Sequence, residues 1–371
     1  MAELFIVGVG RSGTSLLQSM FAAHSAVAML PETSFLRRYV SAGAARPAGA
    51  AGGATRPAGA TRPAGAGTAW AALYDGDERL RRIDREQWER AVERALGGGA
   101  AGGLGGEADA GAVGRGGDPF RPAAQVGAIY RALLSPEIAA GRAGRDPKAI
   151  AYTGDKDPRL IEFLPIVREL FPESHVIQIV RDPRDVLLSK SKAAWSKGRG
   201  RQANLAAGRF QLDLGDRFGR ELWGWRYHVV RYEELLEAPE RTLHRLTSEL
   251  DLEFEPRMLE FGRAAERLGR GETEAWKKET LGPLLKNNAG KWRHELSPRQ
   301  IRLVELVYRR WMNRYGYEPS EADSDSRGRR GGRVLRLLAG AATRLLYTGG
   351  STLYGWYRRM KVAGLLRRLR G

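Results

Sequence analysis

A short apolar segment that runs into a glycine-rich turn and then into a helical pattern limits the fold of this chain more than any other feature. Residues 4–9 are apolar and predict a buried strand, and a helix is expected from about Thr14 to Ala23. The turn between them reads GVGRSGTS at residues 8–15. Backbone N–H groups in such a turn converge on an anion, and the dipole of the following helix favours negative charge there. The segment therefore predicts a strand–loop–helix unit that binds an anion.

The same order of strand, polar turn and helix recurs along the chain. Residues 175–180 (HVIQIV) and 227–231 (YHVVR) predict two further strands, each followed by a helix. A last helix opens with Ser297 as its N-cap and Pro298 in its first position. Alternation of this kind implies an α/β fold with a parallel sheet that is covered by helices on both faces.

Two segments of low complexity interrupt this pattern. Residues 41–68 contain RPAGA three times, and residues 97–117 contain 11 glycines in 21 positions. Such sequences bury too little apolar surface to offset the entropy lost on ordering the backbone. We expect flexible insertions, with a short helix at residues 84–96 between them. They are either a lid or acceptor-binding segment, or expansions that the fold tolerates.

Composition excludes several kinds of site. The chain has no cysteine, which rules out disulfides, thiolate catalysis, cysteine-ligated zinc and iron–sulfur clusters. None of its five histidines has the HExxH or HxH spacing of a metal site. We therefore expect no metal cofactor.

The net charge of +18 is concentrated near the end of the chain. Residues 321–371 hold 12 basic and 3 acidic residues, which is half of the net charge. No nucleic-acid-binding module is recognisable, so nucleic acid is not an expected partner. Basic amphipathic segments with Trp356 and Tyr357 suit an anionic membrane surface, although a disordered or self-packed tail is the alternative. The chain contains no apolar stretch of about 20 residues, so we expect no membrane-spanning helix. We expect a cytoplasmic protein, and its tail is the candidate for peripheral contact with a membrane.

The turn at residues 8–15 admits three interpretations. It matches GxGxxG, with Glu32 about 20 residues further on as a ribose-binding acid, as in a dinucleotide fold. It also fits the P-loop pattern, except that Thr14 replaces the lysine that reaches the β- and γ-phosphates, which argues against ATP or GTP hydrolysis. The third interpretation is a loop for a single phosphate or phosphosulfate, with Arg11 supplying positive charge. This motif alone does not choose among them.

A second motif follows the strand at residues 175–180. The chain continues as RDPRD at residues 181–185 and reaches Ser189 shortly after. If Pro183 opens a helix, Ser189 lies nearly two turns along it, and its hydroxyl could share an anion with Arg181. A dinucleotide fold has no use for a second phosphate clamp here, whereas a nucleotide with a separate 3′-phosphate does.

Six motifs in order along the chain resemble the sulfotransferase family, nearest to its protein-tyrosine and carbohydrate-type branch. RSGTS at residues 11–15 resembles the 5′-phosphosulfate loop, and RDPR at residues 181–184 with Ser189 resembles the 3′-phosphate site. The other four are PET at 31–33, DKDP at 155–158, VRYEEL at 230–235 and GKWR at 290–293. The resemblance covers about residues 3–320, apart from the two insertions.

The resemblance implies a P-loop-like α/β catalytic domain at residues 1–320, followed by the tail at 321–371. It implies transfer of a sulfonate group from 3′-phosphoadenosine 5′-phosphosulfate (PAPS) to a hydroxyl or amine, with no metal. It places the 5′-phosphosulfate on Arg11, Ser12, Gly13, Thr14 and Ser15, the 3′-phosphate on Arg181 and Ser189, and the nucleotide near Tyr232 and Lys291. It places Glu32 where the tyrosine branch has its general base, and Lys156 where that branch has a transition-state lysine. Arg11 and Lys156 would hold the charge that builds up during transfer.

Structural roles are the alternative for several of these residues. Glu32 could be a helix cap, Lys156 a solvated residue of a charged turn, Tyr232 a core residue and Lys291 a surface ion-pair partner. The acceptor stays open among tyrosine, polysaccharide, glycolipid and small alcohol. The alternative functions are a P-loop kinase-like phosphotransferase, against which Thr14 argues, and a non-catalytic nucleotide-binding or membrane-surface protein.

Overall fold

The computed structural model describes residues 1–36, 85–86, 89–90, 93, 123–193, 200–268, 282, 284–285 and 287–320. The predicted insertions at 41–68 and 97–117 and the tail at 321–371 lie outside these residues. Within the helix predicted at 84–96, the described residues are helical. The division into a domain at 1–320 and a tail therefore stays a prediction.

A parallel sheet organises the described residues. Its five strands lie in the order β2-β3-β1-β4-β5, and every neighbouring pair is parallel. The strands are β1 (Ala2–Gly8), β2 (Val27–Met29), β3 (Tyr152–Lys156), β4 (His175–Val180) and β5 (Tyr227–Arg231). The predicted bounds of β4 and β5 are confirmed, and β1 starts and ends slightly earlier than predicted.

Helices cover this sheet. In the described part of the chain they are α1 (Thr14–Ala23), α2 (Ala123–Leu133), α3 (Pro136–Ala143), α4 (Leu164–Leu170), α5 (Pro183–Lys192), α6 (Arg201–Leu214), α7 (Arg220–Trp223), α8 (Tyr232–Glu237), α9 (Pro239–Ser248), α10 (Gly262–Arg267), α11 (Trp292–Glu295) and α12 (Pro298–Arg314). A π-helical turn, Gly215–Gly219, joins α6 to α7. The predicted start of α12 is confirmed, since Ser297 and Gln300 form a capping box there. No helix among the described residues is long and apolar enough to cross a membrane.

The side chains of β1 show how the two faces of the sheet are buried. Leu4 and Ile6 belong to one apolar cluster, which includes residues of α1, α8 and α9. Phe5 and Val7 belong to another, which includes residues of α2, α3 and α4. A central strand of a parallel sheet is apolar on both faces because helices cover both sides. The expected P-loop-like α/β fold is confirmed.

Two strands, β2 and β3, were not predicted. β2 has only three residues, and β3 has the sequence YTGDK, whose polar end resembles a charged turn. The interpretation of Lys156 as a solvated residue of a charged turn is wrong, because Lys156 is the last residue of β3 and is only 1% exposed. β3 lies inside the sheet because β1 and β2 pair with it from either side, and helices cover both faces of such a parallel sheet.

The strand order also decides where a ligand would bind. β1 lies between β3 and β4, so the chain leaves β1 at the point where the strand order changes direction. Ligands of open α/β sheets bind at such a point, outside the carboxyl ends of the strands. In a dinucleotide fold the second strand lies next to the first. Here β3 takes that place, so the strand order does not support the dinucleotide interpretation.

Candidate active site at the carboxyl ends of the strands

The turn between β1 and α1 depends on glycine at two positions. A Cβ atom at Gly8 would lie 2.6 Å from the carbonyl oxygen of Ile179, so β4 passes too close for a side chain. Gly13 has a φ of 102°, and a Cβ there would lie 2.3 Å from the ring of Tyr232. Arg11 has a φ of 77°, which is uncommon for a residue other than glycine and is often associated with functional sites. The backbone of the turn is thus held in a specific conformation at the start of α1.

The structure brings the two predicted anion-binding segments together. The Nε atom of Arg11 donates a hydrogen bond to Oγ of Ser189 at 2.9 Å. Nη1 of Arg181 donates to the carbonyl oxygen of Arg11 at 3.2 Å. These contacts arise because β1 and β4 are adjacent and parallel, so their carboxyl ends lie at the same edge. Arg11, Arg181 and Ser189 therefore form one cluster.

Tyr232 lies in the core and also contacts Arg181 of the cluster. It is 5% exposed and belongs to the apolar cluster under α1. The guanidinium of Arg181 also lies 4.3 Å from the centre of its ring. Asn288 completes this group, since its side chain donates to the Tyr232 hydroxyl at 2.9 Å and its carbonyl accepts from Arg181 at 2.5 Å. Asn288 is not among the site residues predicted from the sequence, where its main signal is its position just before the GKWR motif.

The segment that carries Lys291 is anchored by a residue that the sequence analysis did not assign. Asp185 accepts hydrogen bonds from the backbone N–H of Gly290 at 2.7 Å and of Trp292 at 3.0 Å. Burial raises the pKa of Asp185, while Arg181 and the two backbone hydrogen bonds act in the opposite direction. The side chain of Lys291 is exposed and makes no hydrogen bond or ion pair with another described residue. The structure thus places Lys291 beside α5 without joining it to the cluster.

The two arginines of the RDPRD motif have separate roles. Arg184 is 2% exposed and forms ion pairs with Asp182 at 2.8 Å and Glu305 at 2.7 Å. Its guanidinium also lies 3.6 Å from the ring centre of Trp292. Arg184 therefore ties α5 to α11 and α12, whereas Arg181 points to the turn after β1.

Glu32 and Lys156 meet at the other side of the same turn. Glu32 follows β2 closely, Lys156 ends β3, and the two side chains form an ion pair. The Nζ atom of Lys156 also donates to Oγ of Ser15 at 3.3 Å. The predicted base and the predicted charged residue thus contact each other and the first turn of α1. Parallel neighbours again explain the contact, because β2, β3 and β1 end at the same edge.

A buried carboxyl group lies behind this pair. Asp155 is 1% exposed and accepts hydrogen bonds from the Tyr130 hydroxyl at 2.8 Å and from the backbone N–H of Lys156 at 2.7 Å. Burial raises the pKa of Asp155 to about 7, even though the hydrogen bond from Tyr130 lowers it. Neither Asp155 nor Tyr130 is among the site residues predicted from the sequence.

Two buried polar atoms of the site have no hydrogen-bond partner among the described residues. They are Oγ of Ser12, whose residue is 1% exposed, and Nε of Arg181. Buried polar groups nearly always have a partner, so an unpaired hydroxyl in the turn after β1 and an unpaired guanidinium N–H just after β4 fit an anionic ligand. No group of three or more histidine, aspartate or glutamate side chains in the described ranges could hold a metal ion.

Comparison with known proteins concerns the family and the fold. The chain matches the model of the sulfotransferase family over residues 3–256. The sulfotransferase domain from the curacin biosynthetic pathway superposes with a TM-score of 0.51 at 18% identity, covering 86% of this chain and 99% of that one. The sulfotransferase domain of the olefin synthase from Synechococcus PCC 7002 gives 0.47 at 19% identity, covering 82% of this chain and 94% of that one. At these identities the likeness to solved structures concerns the fold alone. No curated protein gives a significant match.

Proposed function

The chain belongs to the sulfotransferase family, and from that premise we propose that it transfers the sulfonate group of PAPS to a hydroxyl or amine of an acceptor. The observation that carries the proposal is the link between the two anion-binding segments. Arg11 donates to Ser189 at 2.9 Å, and Arg181 donates to Arg11 at 3.2 Å. A nucleotide with phosphate groups at both its 5′ and 3′ positions needs two such segments side by side, whereas a 5′-monophosphate needs one.

In this proposal the turn at residues 8–15 holds the 5′-phosphosulfate. The first turn of α1 supplies N–H groups that cannot bond within the helix, and the helix dipole favours an anion there. The buried hydroxyl of Ser12 gains a partner when the phosphosulfate binds. Arg181 and Ser189 hold the 3′-phosphate, and Arg181 also keeps its place on the ring of Tyr232.

Glu32 and Lys156 carry the transfer step. The acceptor oxygen attacks sulfur, the bond between sulfur and the 5′-phosphate oxygen breaks, and Glu32 takes the proton that the acceptor loses. Lys156 contacts both Glu32 and Ser15, so its ammonium group lies between the acceptor side and the donor side. A positive charge held there stabilises the negative charge that develops on the leaving oxygen. Arg11 supports the transferring group from the turn.

A transfer assay with sulfur-labelled PAPS tests the proposal. The protein is incubated with a panel of tyrosine peptides, polysaccharides, glycolipids and small alcohols in the presence of a metal chelator. We expect label in at least one acceptor class, and loss of that label in Lys156→Ala. The matched control is Lys148→Ala, because Lys148 is an exposed lysine just before β3. A parallel reaction replaces PAPS and the chelator with ATP and magnesium. Transfer of the γ-phosphate there, without transfer of the sulfonate from PAPS, would contradict the proposal and favour a kinase-like activity.

Two further expectations remain predictions about where the protein acts. The basic tail at residues 321–371 is expected to contact anionic membrane surfaces, and the protein is expected to be cytoplasmic. The transfer assay would identify the acceptor class. A glycolipid acceptor would agree with a tail that binds membranes.

A further inference from the structure

We propose that Asp155 and Tyr130 form a positioning pair that holds Glu32 and Lys156 in place for sulfonate transfer. This inference rests on the function proposed above. Asp155 and Tyr130 lie behind the ion pair of Glu32 and Lys156 and act through it, so they are positioning residues rather than catalytic ones.

The hydrogen bonds of Asp155 join the two segments that carry the pair. Its Oδ1 atom accepts from the backbone N–H of Lys156 at 2.7 Å, which fixes the end of β3. Its Oδ2 atom accepts from Oγ1 of Thr33 at 3.4 Å, and Thr33 directly follows Glu32. One buried carboxyl group thus connects the backbone of Lys156 to the segment that presents Glu32.

Tyr130 fixes the second oxygen of this carboxyl group. Its hydroxyl donates to Oδ2 of Asp155 at 2.8 Å, and its residue has no exposed surface. The ring of Tyr130 stacks on Phe35 with centres 5.2 Å apart and an angle of 19° between the planes. The backbone N–H of Phe35 donates to Oγ1 of Thr33 at 3.1 Å. Tyr130 therefore holds both Asp155 and the turn after Glu32.

This turn has a backbone conformation that requires such support. Ser34 has a φ of 52°, a left-handed value that is uncommon for a residue other than glycine. A strained conformation persists only where surrounding contacts determine it. The hydrogen bond that Thr33 donates to Asp155 and the one that it accepts from Phe35 are among these contacts.

The charge of Asp155 should control how well Glu32 and Lys156 are held in place. The titratable groups that face it are Tyr130 from α2, Lys156 at the end of β3 and Asp157 just after that strand. Its neighbour on β1 is the apolar Phe5. An ionised Asp155 accepts all three hydrogen bonds, whereas its protonated form uses one oxygen to donate. Because burial raises the pKa of Asp155 to about 7, turnover should rise as the pH increases through this value.

The experiment compares Asp155→Asn and Tyr130→Phe with a matched control on the same strand. The control is Thr153→Val, because Thr153 is fully buried in β3 and its hydroxyl has no hydrogen-bond partner among the described residues. One measurement is turnover as a function of pH on an acceptor found in the transfer assay. The other is the acylation rate of Lys156 by an amine-reactive reagent, with exposed Lys148 as the internal reference.

We expect Asp155→Asn to lower kcat about 10- to 100-fold, the scale for misplacing a catalytic group by up to about 1 Å. Affinity for 3′-phosphoadenosine 5′-phosphate (PAP), the product of the donor, should stay close to that of the wild type. The step in the pH profile near the pKa of Asp155 should disappear. Lys156 should acylate faster than in the wild type, since it is no longer held in its buried position. Tyr130→Phe should shift turnover and acylation in the same directions by smaller factors. If Asp155→Asn does not fold, this variant tests the positioning role on its own.

Wild-type turnover, pH profile and Lys156 acylation in both variants would overturn the inference. It would also be overturned if Thr153→Val reproduced their effects, because the effects would then come from any change in β3. Failure of the proposed function looks different, since the wild-type protein itself would then transfer no sulfonate. The acylation rates still decide whether Asp155 holds Lys156 in that case.

Discussion

Replacing Arg181 by alanine removes a single guanidinium group that contacts three parts of the site. It donates to the carbonyl oxygen of Arg11 at 3.2 Å and to that of Asn288 at 2.5 Å. It also lies 4.3 Å from the ring centre of Tyr232. We expect this change to weaken binding of PAP, because PAP carries the 3′-phosphate that Arg181 is proposed to hold.

The size of the effect follows from the kind of contact that is lost. A hydrogen bond to a charged group contributes about 1.5–3 kcal/mol, and each 1.4 kcal/mol changes Kd about tenfold. The Kd for PAP should therefore rise about 10- to 150-fold. The nucleotide 5′-AMP has no 3′-phosphate, so its Kd should change only by the factor that follows from the lost stacking on Tyr232. A cation–π contact contributes about 0.5–1 kcal/mol where it is exposed and about 2 kcal/mol where it is desolvated, so the Kd for 5′-AMP should change about 2- to 30-fold and by a smaller factor than the Kd for PAP.

Isothermal titration calorimetry without magnesium measures these affinities for the wild type, Arg181→Ala and a control. The control is Arg217→Ala, because the side chain of Arg217 is 59% exposed on the π-helical turn and is paired with Glu221. The reasoning is refuted if the wild type binds PAP and 5′-AMP equally well. It is also refuted if Arg181→Ala weakens both nucleotides by the same factor, since the arginine would then support the site in general.

Four further predictions concern catalysis, the loop, stability and the tail. Glu32→Gln should lower turnover about 100- to 10,000-fold in the transfer assay while PAP still binds, and near-native turnover would make Glu32 a structural residue. Gly13→Ala should weaken PAP binding in calorimetry more than Gly10→Ala, because a Cβ at Gly13 meets a tyrosine ring at 2.3 Å and one at Gly10 meets nothing within 4 Å. Burial lowers the pKa of His175 to about 4, so the unfolded chain, in which histidine titrates near 6.5, takes up its proton first as the pH falls. The free energy of unfolding should therefore decrease as the pH falls from about 6.5 to 4, and the decrease should be smaller in His175→Gln. Urea denaturation at several pH values measures this, and an equal decrease in both proteins would contradict it. The full chain should sediment with anionic vesicles at low salt more than a chain that ends at Ser320, and equal sedimentation would exclude the tail as the membrane contact.

The sequence by itself determined the local units and the order of the motifs. The apolar run before a glycine turn predicts β1, the anion-binding loop and α1, because each depends on residues that are neighbours in the chain. The cap formed by Ser297 and the proline after it predict the start of α12 for the same reason. The ordered motifs were sufficient to indicate the sulfotransferase family, which the match over residues 3–256 confirms.

Only the tertiary structure decided which of these residues meet. Arg11 and Ser189 are 178 positions apart, and their contact depends on β4 lying next to β1. Lys156 is part of a polar segment that resembles a solvated turn, and it is buried because β3 inserts between β1 and β2. Asp155 and Tyr130 carry no local signal of their contact, which depends on where α2 packs against the sheet. Side-chain periodicity reports which face of an element is buried, whereas strand order and helix packing decide which charged and polar groups share that burial.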